Sequence, residues 1–76
     1  MNKARRKQLD EIYSKLEEIK TDLEGVLAEE EEYRDNMPEN LQNSERYQVA
    51  DAAVSELECA VDSLDEALSS IETAQE

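Results

Sequence analysis

Histidine, tryptophan and phenylalanine are missing from this chain, and cysteine, glycine and proline occur once each. A di-iron bundle needs inward-facing Glu-x-x-His pairs, so the lack of histidine excludes that chemistry. The lone Cys59 leaves no internal disulfide and no cysteine-based zinc site, which fits a reducing compartment. No apolar run is long enough for a membrane span or for the central segment of a signal peptide, so a soluble cytoplasmic protein is expected. Basic residues are also scarce: 8 Lys and Arg stand against 21 Asp and Glu, for a net charge of −13.

What remains is periodic. The 76 residues are 38% charged and 38% hydrophobic, enough for one domain near the size at which a lone core struggles to offset chain entropy. From Tyr47 to Ile71 the residues Tyr47, Ala50, Val54, Leu57, Val61, Leu64, Leu68 and Ile71 follow at alternating steps of three and four. They are the a and d positions of a heptad, the pattern of a long helix that buries one seam against another helix. Ala53, Ala60, Ala67 and Ala74 form a column at g, where small side chains allow close approach. The e column reads Asp51, Glu58, Asp65 and Glu72, acidic throughout.

A first heptad runs through Leu9, Ile12, Leu16, Ile19, Leu23 and Val26, and it weakens at Glu29-Glu30-Glu31-Glu32. Tyr13 and Leu27 lie at e and widen its apolar face. Gly25, at the solvent-side c position, costs about 1 kcal/mol against alanine without breaking the helix. Lys3, Arg5, Arg6 and Lys7 oppose the helix dipole, so the N-terminal end is expected to fray. Between the helices, Pro38 disfavours helical geometry at Met37, Asn36, Asn40 and Asn43 form turns, and Asn43 or Ser44 caps the second helix.

The predicted fold is therefore all-α: a single antiparallel two-helix coiled-coil hairpin over 1–76, with helices at about 3–34 and 44–74 and a turn at about 35–43. Tyr33, Tyr47 and Leu41 are expected to close the seam at the turn. Two helices bury only one seam, which leaves Tyr13, Leu27, Ala53, Ala60 and Ala67 as the predicted self-association surface. A homodimer forming a four-helix bundle is preferred over a monomer, although the same surface could accept a partner's helix.

Function is written mainly in the charge. From residue 8 onward four basic residues face all 21 acids, a balance of −17. Such a surface repels nucleic acid and anionic membranes and attracts basic proteins. The predicted partner-binding acids are Glu17, Glu18, Glu24, Glu31 and Glu32 on the first helix, and Asp51, Glu58, Asp65 and Glu72 on the second. Their seven-residue repeat spaces carboxylates by about 10.5 Å, and such rows can stand in for nucleic-acid phosphates. The plainer reading is a solvated face that keeps a small bundle soluble, but the charge excess is more than solubility needs and costs stability through self-repulsion.

Catalysis has no support. Acid–base work needs carboxylates in a desolvated pocket, which a slim hairpin does not provide, and no stretch matches a calcium loop. Neither a catalytic residue, a metal nor a cofactor is expected. Cys59, at f among Ser55, Glu56, Asp62 and Ser63, reads as an ordinary surface thiol.

The turn Tyr33-Arg34-Asp35-Asn36-Met37-Pro38-Glu39-Asn40-Leu41-Gln42, followed by Ser44-Glu45-Arg46-Tyr47, resembles small acidic helical-hairpin proteins of phages and mobile elements of Firmicutes and related gut bacteria. The acid–alanine–leucine pattern of the second helix extends the likeness to more than half the chain. Proteins of that kind include anti-CRISPR proteins, some of which occupy the DNA-binding surface of Cas9. The resemblance thus implies a counter-defence inhibitor acting in the cytoplasm of a bacterial host cell. The rival reading is a structural or adaptor coiled-coil module acting through helix–helix pairing.

Overall fold

The computed structural model describes residues 1–76 as two helices and no strand: α1 (Lys3–Asp35), one 3-10 turn (Glu39–Leu41), and α2 (Glu45–Ala74). The helices fold back on each other as a hairpin, giving a rod of 59 × 15 × 13 Å.

The basic N-terminal end is helical from Lys3, where a cap supports it. Asn2 lies in extended backbone and its side-chain oxygen accepts the Arg5 N–H at 2.8 Å. One of the amides that a helix start leaves unpaired is thereby satisfied, which offsets the adverse placing of positive charge there. At the other end of α1, Asn36 N–H returns to the Glu32 carbonyl at 3.0 Å and Met37 N–H to that of Arg34 at 3.3 Å. Pro38 then adopts extended geometry, φ −58° and ψ 151°. Ser44 is the cap of α2: its oxygen accepts the Tyr47 N–H at 3.3 Å while its hydroxyl donates to the Leu41 carbonyl.

Only Met37, Ala50, Val54 and Leu68 are buried, so the core is a thin line along the hairpin. On α2 the seam is the one its heptad specifies. Tyr47, Leu57, Val61, Leu64 and Ile71 are half-buried around Ala50, Val54 and Leu68, and Ala53, Ala60 and Ala67 are half-buried beside them. Met37 plugs the turn, a place the sequence reading gave to Tyr33, which is instead exposed.

The phase of α1 differs from expectation. Its half-buried residues are Leu9, Tyr13, Leu16, Lys20, Leu23, Leu27, Glu30 and Arg34, with Glu31 beside them; this is the a and e columns, not a and d. Ile12, Ile19, Val26 and Tyr33, the d column, are 46%, 53%, 52% and 49% exposed. Tyr13 and Leu27, expected to be spare surface for self-association, are spent inside the hairpin. The physical reason is visible across the interface, where this rotation turns Tyr13, Lys20 and Arg34 toward the acidic e column of α2.

Two faces of the hairpin as a candidate functional site

Three polar contacts accompany that rotation. The Tyr13 hydroxyl donates to a Glu72 carboxylate oxygen at 2.6 Å, Lys20 Nζ pairs with Asp65, and an Arg34 terminal nitrogen donates to Asp51 at 2.9 Å. Seven residues on along α1, from Tyr13 to Lys20, is seven back along α2, from Glu72 to Asp65. The step from Lys20 to Arg34 is matched in the same way by that from Asp65 to Asp51, so the register is constant. In that register Glu58 falls opposite Leu27, which explains why it alone of its column lacks a partner on α1.

These contacts change the proton affinities of their donors. The hydrogen bond to the Glu72 carboxylate, aided by partial loss of water and by the fields of Glu72, Glu17 and Asp65, pushes the Tyr13 phenol up to about 12. Lys20 is also raised, first by its hydrogen bond to Asp65, and further by Asp65, Glu24 and Glu17. Arg34 also gains, chiefly from its Nε bond to Asp35 at 3.0 Å and then from Asp51.

Four of the predicted partner-binding acids, Glu17 and Glu24 on α1 with Asp65 and Glu72 on α2, are thus gathered on one flank of the rod around Lys20 and Tyr13. Asp51 lies further along the same flank, tied to Arg34. Glu18, Glu32 and Glu58 are exposed and make no ion pair, whereas Glu31 is half-buried on α1. The structure therefore splits the predicted set. Asp51, Asp65 and Glu72 are already engaged within the hairpin, and the unpaired carboxylates belong mainly to α1.

The opposite flank is apolar. Ile12, Ile19, Val26 and Tyr33 line it from α1, and the half-buried Ala53, Ala60 and Ala67 lie beside them on α2. Exposed Val49 continues this face at the tip, where it shares a shallow groove with Tyr33 and Ala50. A second groove at the tip is lined by Tyr33, Met37, Pro38 and Leu41 with Glu29 and Glu32. A third, near the start of α1, is lined by Met1, Leu9 and Ile12 with Arg5 and Lys15.

Sequence reasoning missed both this stripe and the use of Lys20 and Arg34. The signal was present as a pair of columns: Tyr13, Lys20, Leu27 and Arg34 mirror Asp51, Glu58, Asp65 and Glu72 at the same period. No group of histidine, cysteine, aspartate or glutamate side chains is arranged to hold a metal ion, and no helix is long and apolar enough to cross a membrane. Cys59 is free and exposed. The chain matches no protein family, no curated protein and no solved structure.

Proposed function

We propose that this hairpin is a non-enzymatic binding protein whose acidic flank docks on a basic protein groove built for nucleic acid. A host defence nuclease of the Cas9 type is the target class to test first. The observation that carries the reading is the convergence of Glu17, Glu24, Asp65 and Glu72, from two helices, along one side of a stiff rod. Carboxylates repeated about every 10.5 Å along a helix give a groove lined with lysine and arginine a phosphate-like target, so inhibition is steric and electrostatic competition. The unpaired acids of α1 contribute most, because they need not give up a partner in the chain to meet one outside it.

The test is a pull-down from a CRISPR-bearing bacterial host, washed at low and at high salt, with the bound proteins identified. The reading expects a nucleic-acid-binding enzyme that is released by salt and displaced by DNA. Changing Glu17, Glu18 and Glu24 together to lysine is expected to abolish capture while circular dichroism retains the helices. Undiminished capture by that variant would sink the mimicry.

A second reading, a helix-pairing module, is favoured by the exposed stripe Ile12, Ile19, Val26 and Tyr33. It includes self-association into a four-helix bundle through this side of the molecule. Under it, Ala60→Glu with Ala67→Glu removes partner binding, and capture resists salt.

A further inference from the structure

We propose that two copies of the chain pair through α1, antiparallel, about a two-fold axis that passes beside the helix at the level between Ile19 and Val26. The proposal rests on the self-association reading and gives it a face, a direction and a register. Four of 76 residues are buried, a thin core for so small a domain, and oligomerisation is a common remedy. The apolar material for it lies in a single column. Residues repeating every seven along one helix form the seam on which a second helix packs.

The occupant is argued from symmetry and charge. Turning α1 over about that axis lays Ile12 on the partner's Tyr33 and Ile19 on the partner's Val26, so the stripe is its own complement. The two grooves at its ends are then superposed, one carrying Arg5 and Lys15 with Glu11, the other Glu29 and Glu32 with Arg46, so each end brings an excess of one sign against an excess of the other. Lys15 lies close to the partner's Glu29, and both are g positions flanking the stripe. The basic residues Lys3, Arg5, Arg6 and Lys7 have no ion pair within the chain, nor have Glu29 to Glu32. In the constant hairpin register Ala74, the last residue of α2, is level with Glu11, so residues 3–10 of α1 run on past the end of α2 and α2 offers them no carboxylate. The same axis is level with the stretch of α2 between Ala60 and Ala67, whose small side chains leave room for the partner's second helix. A parallel pairing would set Lys15 beside lysine and the glutamate run beside itself. Like charges oppose the arrangement: Asp22 approaches its own copy at the axis, Glu11 nears the partner's Glu29 and the partner's Glu32 where the grooves superpose, and each copy carries a net charge of −13.

Sedimentation equilibrium up to about 1 mM, where even a weak complex is populated, tests the proposal. The wild-type chain is expected to dimerise. Ile19→Lys with Val26→Lys is expected to weaken the dimer by at least about 100-fold, since four desolvated side chains per dimer become charged. These residues are half in solvent already, so circular dichroism is expected to show the hairpin intact. Lys15→Glu or Glu29→Lys each weakens the dimer by roughly tenfold through two symmetry-related pairs, and the double variant restores it. Residues 15 and 29 are about 21 Å apart on one helix, beyond the roughly 10 Å screening length, so restoration can arise only between copies. Asp22→Asn is expected to tighten the dimer by about threefold.

A wild-type chain that stays monomeric throughout the range overturns both the self-association reading and this geometry. A dimer that survives the double lysine change, or a charge swap that fails to restore association, overturns the geometry alone.

Discussion

Arg34 reaches Asp51 at 2.9 Å across the hairpin and, through its other arm, Asp35 at 3.0 Å on its own helix. One guanidinium thus ties the last turn of α1 to the second turn of α2. Lys20 with Asp65, and Tyr13 with Glu72, repeat the tie along the rod. The rotation of α1 that makes these contacts leaves its d column, Ile12, Ile19, Val26 and Tyr33, about half in solvent.

That choice reverses the ranking of two hydrophobic positions. Leu68 is 7% exposed and Ile19 is 53% exposed, although both hold a seam position in the heptads. Leu68→Ala is expected to cost about 2–4 kcal/mol by removing buried methyl groups and leaving a cavity, most of what a hairpin this size possesses. Ile19→Ala is expected to cost less than about 1 kcal/mol in the monomer, because so much of its side chain is already in water. Urea titrations at micromolar concentration compare them; equal losses would mean that Ile19 faces α2.

Gly25 sits in the middle of α1 with a helical backbone and nothing within 4 Å of where a Cβ would lie. Gly25→Ala is therefore expected to stabilise by about 0.5–1 kcal/mol, through the entropy glycine loses on becoming helical. The same urea titration measures the gain, and its absence would mean that the helix is not the limiting element at this position.

Alkaline pH removes two of the three ties. The folded-state affinity of Tyr13 is raised from 10.0 to about 12, so its contribution is complete below about pH 10 and is lost as pH climbs toward 12. Lys20 is raised as well, and its contribution likewise disappears on deprotonation above its ordinary value of 10.5. Stability is expected to be level from about pH 7 to 9 and to fall above 10. Tyr13→Phe is expected to be less stable at neutral pH and to fall less steeply, the remaining slope belonging to Lys20. Melting curves across this range report both.

Salt discriminates between attraction and repulsion. The hairpin has two ion pairs between its helices, Lys20–Asp65 and Arg34–Asp51, against a net charge of −13. Raising salt from 0.1 M to 1 M shortens the screening length from about 10 Å to about 3 Å, which suppresses the long-range repulsion more than contact pairs. The melting temperature is expected to rise by several degrees. A fall would mean that the ion pairs outweigh the self-repulsion.

The two helices were not equally legible in the sequence. On α2 a single column pair, from Tyr47 to Ile71, contains nearly all the large apolar residues, so the phase had one solution. On α1 both flanks of the a column are apolar: Ile12, Ile19, Val26 and Tyr33 on one side, Tyr13 and Leu27 on the other. Counting favours the first. The structure takes the second because Lys20 and Arg34 meet acids placed on a different helix, information that exists only once the two columns are read against each other. Met37 was hidden for a related reason, since its burial depends on how the chain bends at Pro38. The acidic flank was readable as composition, whereas which carboxylates are already occupied was not.

The stretch of α1 that outruns α2 makes the hairpin an asymmetric electrical object. One end is positive and the shaft and tip are strongly negative, so the molecule has a direction as well as a charge. In the field of a basic surface such a rod turns before it touches, presenting its tip and acidic flank while the positive end trails. In the proposed antiparallel pair the two polarities cancel and only the negative charge is left. A single copy would therefore arrive aimed, and a pair would arrive without a preferred end.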